Sequence, residues 1–177
     1  MLGKRNVFLV GPMGSGKSAV GRLLARLLDA PFYDSDVEIE RRTGVDIPYI
    51  FDREGESGFR QREQEALEAL TQLEPIVLAT GGGAVVLPES RRSLAERGTV
   101  VYLRTSVDQQ FQRVRHARHR PLLVDVNPQE KLAQLMSERT PLYLEVADVT
   151  VDTDGRKVQS VAEEIMRELG AKDPTYT

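Results

Sequence analysis

The chain has 177 residues, of which 40% are hydrophobic and 29% are charged. These values predict one globular domain with a sizeable core and exclude a disordered chain. The formal net charge of -3 excludes an overall basic field for nucleic acid, and a cysteine count of zero excludes disulfides, thiol nucleophiles and cysteine-ligated zinc.

The first apolar run of the chain is too short for export or for a membrane. Val7 to Val10 is followed at once by Gly11, whereas an export signal needs roughly 7–15 apolar residues. A membrane-spanning helix needs about 20, and no later run approaches that length. We therefore expect a cytoplasmic protein without a membrane partner.

Five short apolar runs predict β-strands. They lie at Asn6 to Val10, Pro31 to Tyr33, Ile76 to Ala79, Thr99 to Leu103 and Asp148 to Val151. Apolar side chains at helical spacing predict helices around Leu23 to Leu28, Ala66 to Leu73 and Val161 to Leu169. Strands that are apolar throughout are typical of parallel sheets covered on both faces. The alternation predicts a single α/β domain in three layers, with a five-stranded parallel sheet between helices.

Two segments interrupt this alternation. Residues 34–62 are rich in charge, and residues 113–128 are rich in arginine and contain two histidines. Long irregular insertions in a compact α/β domain are typical of substrate-binding or lid segments, and a solvated surface loop is the alternative. Residues 171–177 are expected to be a frayed tail.

A glycine-rich motif joins the first predicted strand to the first predicted helix. Residues Gly11 to Ser18 read G-P-M-G-S-G-K-S, which matches G-x-x-x-x-G-K-[ST]. Its glycines let backbone N–H groups converge on phosphate oxygens, and the helix N-terminus adds its positive dipole end. Lys17 can reach the β- and γ-phosphates, and the Ser18 hydroxyl can bind Mg²⁺. The motif predicts a nucleoside triphosphate site.

The remaining motifs argue against a GTPase. No N-K-x-D motif for guanine occurs, and the D-x-x-G of Asp52 to Gly55 lies in a charged segment instead of at a strand end. The fourth predicted strand leads into Arg104 and offers no acidic residue for a metal. Because many enzyme classes share the phosphate motif, the reaction has to be inferred from other residues.

Asp34 and Asp36 follow the second predicted strand, at the edge of the sheet where open α/β folds bind ligands. Residues two apart on an extended segment point the same way, so both carboxylates can face the phosphate motif. One could organise Mg²⁺ while the other accepts a substrate hydroxyl proton. Capping of the next helix is the alternative role.

Three consecutive glycines, Gly81 to Gly83, follow the third predicted strand and permit a very close approach of the backbone to a ligand. Arg60 and Arg139 could each bind an anion. A surface charge is the alternative for either arginine.

The ordered set of motifs resembles the shikimate kinase family. It consists of G-P-M-G-S-G-K-S, D-S-D, G-E-S-G-F-R, T-G-G-G, R-P-L-L and E-R-T-P-L-Y, and it extends from about Lys4 to Asp154. The resemblance implies a P-loop kinase fold with a lid and a substrate-binding insertion. It also implies transfer of a phosphoryl group from ATP, with Mg²⁺, to the 3-hydroxyl of shikimate in the chorismate route to aromatic amino acids.

The same resemblance implies a role for each motif residue. The nucleotide-binding residues would be Gly14, Ser15, Gly16, Lys17, Ser18, Ala19, Arg113, Arg120 and Arg156. Lys17, Asp36 and Arg120 would be catalytic, with Arg120 on the lid, and Mg²⁺ would be held by Ser18 and, through water, by Asp34. Shikimate would be bound by Asp36 and the Gly82 amide at its hydroxyls, and by Arg60 and Arg139 at its carboxylate. A monomer is expected, with a dimer as the alternative.

Other functions stay open. A kinase for gluconate or a nucleoside monophosphate would share the phosphate motif but leave the other motifs unexplained. A non-catalytic nucleotide-binding regulator, or a nucleic-acid binder that uses Arg113 to Arg120, are the alternatives from other classes. That basic run lacks interleaved aromatic residues for base stacking, so no nucleic-acid partner is expected. His116 and His119 lack further nearby ligands and are expected to be exposed.

Overall fold

The computed structural model of the chain describes residues 6–116 and 120–176. Lys4, where the family resemblance begins, and the lid residues Arg118 and His119 lie outside the described residues. A five-stranded parallel sheet forms the centre of the molecule. Its strands are β1 (Val7–Val10), β2 (Phe32–Asp34), β3 (Val77–Ala79), β4 (Thr99–Arg104) and β5 (Val149–Asp152), in the order β2-β3-β1-β4-β5. The five predicted strands are confirmed, and their ends shift by at most one residue.

Seven α-helices occur in the described residues. They are α1 (Lys17–Leu27), α2 (Ser35–Thr43), α3 (Ile47–Leu70), α4 (Pro88–Arg97), α5 (Val107–Val114), α6 (Pro128–Val146) and α7 (Val158–Lys172). A short 3₁₀ turn, Pro121–Leu123, lies between α5 and α6. None of the helices in residues 6–116 and 120–176 combines the length and hydrophobicity that a membrane span requires.

Both faces of the sheet are buried, which is why its strands are apolar throughout. Successive side chains of a strand point to opposite faces. Val7 and Leu9 of β1 therefore pack with α1 and α7, whereas Phe8 and Val10 pack with α3, α4 and α6. These two clusters produce the predicted three layers, and the α/β fold is confirmed.

The charged segment 34–62 is helical, so the expectation of an irregular insertion is wrong. Asp46 caps the N-terminus of α3 by accepting a hydrogen bond from the Tyr49 amide. Gly44, at φ 72°, ends α2, and Gly55, at φ 69°, places a kink within α3. A small apolar cluster, consisting of Ile39, Ile50, Phe59 and Ala66, joins the two helices. Charged residues cover the other faces, and their number obscures this sparse apolar pattern in the sequence.

The C-terminal tail also differs from expectation. α7 continues to Lys172, and Pro174–Tyr176 forms a 3₁₀ turn. Tyr176 packs against the cluster of α1 and α7. The expected fraying from residue 171 is therefore wrong as far as Tyr176.

Candidate active site

The phosphate loop, Gly11 to Ser18, connects β1 to α1 at the carboxyl edge of the sheet. Gly11, Gly14 and Gly16 have φ values of 148°, 76° and 88°, which side-chain-bearing residues rarely adopt. A Cβ atom on Gly11 would also lie 2.7 Å from the Leu103 carbonyl oxygen of β4. The loop therefore requires glycine both for its backbone conformation and for its packing on the sheet.

Lys17 is the first residue of α1, and its side chain turns back into the loop. Its ammonium group donates to the carbonyl oxygens of Gly11 (2.7 Å) and Pro12 (2.8 Å) and to Ser15 Oγ (3.2 Å). Burial lowers the pKa of Lys17 to about 7, while the nearby Asp36 carboxylate acts in the opposite direction. The cation is thus held among oxygen atoms at the phosphate loop.

Ser18 and Asp34 meet across the gap between α1 and β2. The Ser18 hydroxyl donates to Asp34 Oδ2 at 2.7 Å. The other oxygen of Asp34 accepts from the amide of Asp36 at 3.0 Å and caps α2. The capping role that the sequence left open for these acids is therefore taken by Asp34, and its second oxygen still faces the phosphate loop.

Asp36 projects from the first turn of α2 towards the same loop. Its Oδ1 atom is shielded from solvent and has no hydrogen-bond partner in the described part of the chain. Burial of the carboxyl raises the pKa of Asp36 to about 7, and the nearby Glu63 carboxylate adds to that shift. Asp36 is therefore a carboxyl group that can exchange a proton near neutral pH.

Arg60 and Glu63 form a buried ion pair on α3. Arg60 Nη1 donates to Glu63 Oε1 at 2.7 Å, and Nη2 lies 3.3 Å from Glu56 Oε1. Two atoms of the pair, Arg60 Nε and Glu63 Oε2, are buried without a hydrogen-bond partner among the described residues. Burial also raises the pKa of the Glu63 carboxyl. Glu63 is not among the site residues predicted from the sequence, although its position three residues after Arg60 places it on the same helix face.

The three glycines after β3 fit closely between these charged groups. A Cβ atom on Gly81 would lie 2.8 Å from Glu63 Oε2 and 2.9 Å from Asp36 Oδ1, and one on Gly83 would overlap the Arg60 guanidinium. The Gly82 Cβ position lies 3.6 Å from Arg139 Nη1. Charged side chains thus lie close to the glycine backbone at the edge of a cavity, and the close approach to a ligand stays a prediction.

These groups line a cavity of about 340 Å³, here called the site cavity. Its polar lining includes Asp36, Arg60, Glu63, Gly81, Gly82, Gly83, Arg120 and Arg139. Its apolar lining includes Val37, Ile47, Pro48, Phe51, Phe59, Pro121 and Leu122. A neighbouring cavity of about 220 Å³ is lined by the phosphate loop, including the exposed Ala19. The two cavities share Asp36 and Arg120, so a molecule in one would lie next to a molecule in the other.

The lid segment, residues 113–128, reaches both cavities through Arg120. Arg120 precedes the turn Pro121–Leu123. Its positive charge lies close enough to lower the pKa values of both Lys17 and Asp36, although burial is the larger influence on each. The structure therefore places the lid arginine beside the phosphate loop.

Arg113 and Arg156 lie farther out, at the loop between β5 and α7. Arg113 donates to the carbonyl oxygens of Gly14 (2.7 Å) and Thr153 (3.4 Å). Arg156 donates to the Ser160 carbonyl oxygen at 3.0 Å and forms an ion pair with Glu164. Within the described parts of the chain, neither arginine lines the two cavities. The structure brings Arg113 to the phosphate loop and binds Arg156 to α7.

Arg104 and His116 lie at positions that bear on metal binding. Arg104, where a strand-borne acid would otherwise stand, forms an exposed ion pair with Asp152 at 2.6 Å. His116 is exposed, as expected. Within residues 6–116 and 120–176, no cluster of three or more histidine or acidic side chains could hold a metal ion by itself.

Comparison with known proteins supports one family for this site. The family model described as shikimate kinase matches residues 13–170. A shikimate kinase of Nitrosococcus oceani is 57% identical over 164 residues, which cover 93% of this chain and 86% of that protein. A shikimate kinase of Vibrio parahaemolyticus is 55% identical over 169 residues, which cover 96% of this chain and 98% of that protein.

A solved structure gives the same result in three dimensions. It is described as shikimate kinase from Acinetobacter baumannii in complex with shikimate. Its TM-score is 0.93 at 49% sequence identity, and the match covers 95% of this chain and 94% of that one. The fold and the ordered motifs therefore agree with the same relatives.

Proposed function

This chain belongs to the shikimate kinase family, and from that membership we propose that it transfers the γ-phosphoryl group of ATP to the 3-hydroxyl of shikimate. The products are shikimate 3-phosphate and ADP. The observation that carries the proposal is the pair of adjoining cavities. One is lined by the phosphate loop, and the other is lined by Asp36, Arg60 and Glu63, each of which has a buried polar atom with no hydrogen-bond partner in the part of the chain that the structure describes. Unpartnered buried polar atoms cost free energy, and a polar ligand in the cavity would satisfy them.

The phosphate side of the site supplies positive charge. Phosphoryl transfer spreads negative charge over the equatorial oxygens of the transferred group, so an enzyme accelerates it mainly by positioning and electrostatics. Lys17 lies within the phosphate loop, and Arg120 approaches from the lid. We assign both cations to the transferring group, with the loop amides of Gly14 to Ala19 around the phosphates.

Two arginines of the site cavity would bind the carboxylate of shikimate. Arg60 and Arg139 both line this cavity and are 6% and 5% exposed. A guanidinium group presents donors in a planar fork that matches the two oxygens of a carboxylate. The unpartnered Nε of Arg60 is one donor available for that purpose.

Asp36 would orient the reacting hydroxyl and take its proton. A general base works best when its pKa lies near the pH of the reaction, and burial raises the pKa of Asp36 to about 7. The proton of the shikimate 3-hydroxyl would move to a carboxylate oxygen of Asp36. The neighbouring Gly82 amide would hold a second hydroxyl.

The residues beside the phosphate loop fit Mg²⁺. Ser18 Oγ and Asp34 Oδ2 lie 2.7 Å apart, and hydroxyl and carboxylate oxygens are the ligands that this ion prefers. Ser18 would bind the ion directly and Asp34 through water. When bound, Mg²⁺ would neutralise charge on the phosphate oxygens. We also propose the cytoplasm as the location and a monomer as the working form.

A coupled assay of ADP formation tests the proposed function. Purified protein is supplied with ATP and Mg²⁺ and with shikimate, gluconate or a nucleoside monophosphate, and ³¹P NMR identifies the phosphorylated product. We expect ADP formation that depends on shikimate. Turnover with gluconate or a nucleoside monophosphate but not with shikimate would contradict the proposal, and ATP binding without any turnover would favour a regulator.

A further inference from the structure

The segment Gly81–Val86, here called the glycine loop, is fixed by two donor side chains, one from α6 and one from α4. The Tyr143 hydroxyl of α6 donates to the Gly82 carbonyl oxygen at 2.5 Å. Arg91 Nη1 of α4 donates to the carbonyl oxygens of Val85 (2.8 Å) and Val86 (3.0 Å). Among the described residues, neither side chain lines the site cavity. Both side chains donate hydrogen bonds to backbone carbonyl oxygens of the loop.

The position of the Tyr143 hydroxyl is determined by the core. Tyr143 is 1% exposed and its ring stacks on Tyr102, with ring centroids 5.0 Å apart. Burial raises the pKa of the Tyr143 phenol above its ordinary value, and the nearby Arg139 guanidinium opposes that shift. The hydroxyl therefore keeps its proton at neutral pH and remains a donor to Gly82.

A hydrogen bond to the Gly82 carbonyl orients more than one atom. The peptide bond between Gly82 and Gly83 is planar and trans, so a fixed Gly82 carbonyl also fixes the Gly83 N–H, which points in the opposite direction. The Gly82 N–H belongs to the preceding peptide plane and is restrained through the Cα atom of Gly82 that the two planes share. Arg139 lies four residues before Tyr143, on the same face of α6. One helix face thus presents a guanidinium to the site cavity and fixes the peptide plane beside it.

Arg91 holds the other end of the glycine loop and is itself held by α6. Its Nε lies 3.1 Å from Oε2 of the half-exposed Glu145, two residues after Tyr143, in an ion pair without hydrogen-bond geometry. Within the loop, the amides of Ala84 and Val86 donate to the carbonyl oxygens of Gly81 and Gly83, both at 3.0 Å. The loop is therefore tied at both ends to the helix that carries Arg139.

We propose that Tyr143 and Arg91 are positioning residues for shikimate, which hold the glycine loop so that its Gly82 backbone and Arg139 contact the same shikimate molecule. The inference rests on the proposed function, because it concerns the acceptor side of that reaction. It predicts a larger effect on shikimate than on ATP, since in the described part of the chain the hydrogen bonds of Tyr143 and Arg91 go to the glycine loop and not to the phosphate loop.

Tyr143→Phe tests the first contact. The substitution keeps the stacked ring and removes the donor, so the Gly82 carbonyl loses its partner. We expect the KM and the calorimetric Kd for shikimate to rise about tenfold, which equals about 1.4 kcal/mol, while the Kd of an ATP analogue changes less than about twofold. Tyr102→Phe is the matched control, because it removes a hydroxyl from the same stack without touching the loop, and it should leave both affinities unchanged.

Arg91→Gln and Arg91→Lys test the second contact independently. Gln cannot span both carbonyl oxygens and cannot pair with Glu145, whereas Lys keeps the charge. We expect Arg91→Gln to raise the KM for shikimate about fivefold and Arg91→Lys to restore part of the loss. Arg92→Gln, at the exposed neighbouring position, is the control.

Two results would overturn the inference. Tyr143→Phe could behave like Tyr102→Phe, or the affinities for shikimate and the ATP analogue could fall together, which indicates a general structural role. Thermal unfolding confirms that each variant is folded, and the Arg91 series decides the matter if Tyr143→Phe is not. Wild-type protein that phosphorylates only another acceptor would contradict the proposed function instead, and the Tyr143→Phe and Tyr102→Phe comparison could then be repeated with that acceptor.

Discussion

Several charged side chains of the site are almost completely buried. Lys17, Arg60, Glu63 and Arg139 are 8%, 6%, 2% and 5% exposed. Burying a charge costs several kcal/mol unless a partner of opposite charge and hydrogen bonds offset the loss of solvent. Arg60 and Glu63 offset each other, yet each keeps an atom without a partner in the described residues. The incomplete pairing is what makes the cavity suitable for a ligand that carries both a carboxylate and hydroxyls.

The carboxylate clamp, defined as Arg60 and Arg139, yields a prediction at this scale. Arg139→Ala should weaken shikimate binding by about 2–5 kcal/mol, because it leaves a desolvated carboxylate with one partner fewer. Binding of an ATP analogue should remain almost unchanged, since Arg139 does not line the phosphate-loop cavity in the described structure. Calorimetric titration with each ligand separately measures both effects.

The role of Arg60 in shikimate binding is best tested with a conservative substitution. Arg60→Ala would leave Glu63 buried without a partner and would destabilise the fold. Arg60→Lys keeps the charge but loses the planar fork, so it should reduce shikimate affinity while the protein stays folded. Arg62→Lys, in an exposed ion pair with Glu54, is the control. Normal shikimate binding by both Arg139→Ala and Arg60→Lys would rule out the clamp.

The position of a residue is predictable from the sequence where a motif has few other uses. The phosphate motif places Lys17 and Ser18 at the turn between β1 and α1, where the structure has them, and their roles in binding stay predictions. Glu63 is not predicted as a site residue, because a glutamate within a highly charged helix is typical of a solvent-exposed face. Only the packing of α3 against the glycine loop shows that Glu63 is 2% exposed.

At the scale of elements, strands were predictable and the charged helices were not. Parallel strands with two covered faces require apolar residues at nearly every position, and that composition is visible in β1 and β4. α2 and α3 instead rely on caps at Asp34 and Asp46 and on a sparse apolar cluster. The stability of these helices comes from contacts between residues that are distant in sequence. The local sequence pattern therefore indicates an insertion but does not predict that it is helical.

The lid is the element whose role is most directly testable. If Arg120 acts mainly on the transferring phosphoryl group, Arg120→Ala should lower kcat strongly while the KM values for ATP and shikimate change little. Arg115→Ala alters an exposed arginine of the same segment and should leave kcat unchanged. Preserved kcat with weakened substrate binding would make Arg120 a ground-state contact. Steady-state kinetics of the two variants distinguish these outcomes.

At the scale of the whole molecule, the residues that stabilise the fold lie in different regions from those that form the site. The two apolar clusters on the faces of the sheet hold the fold together, whereas the site lies at the carboxyl edge of the sheet, where buried charges oppose folding. The fold therefore has to offset the cost of its own site. Removing one partner of the Arg60–Glu63 pair would destabilise the protein, whereas neutralising Asp36, which forms no ion pair among the described residues, is expected to stabilise the protein at neutral pH and to reduce its activity.

The pH dependence of the free energy of unfolding measures how much the buried Asp36 carboxylate opposes folding. Burial raises the pKa of Asp36 in the folded protein to about 7, from the ordinary value of 3.8 for an aspartate carboxyl. Between these values the folded state holds a proton that the unfolded state has released, so the free energy of unfolding falls as pH rises towards 7.

The Asp36→Asn variant has no carboxyl group to titrate at this position. Between about pH 5 and about pH 8, its free energy of unfolding should therefore fall by about 2–4 kcal/mol less than that of the wild-type protein. Urea unfolding at both pH values measures the difference, with Asp52→Asn, an exposed acid, as the control. Asp36→Asn should also lose shikimate-dependent turnover. Equal pH dependence in wild type and Asp36→Asn would show that Asp36 is not the group whose burial opposes folding.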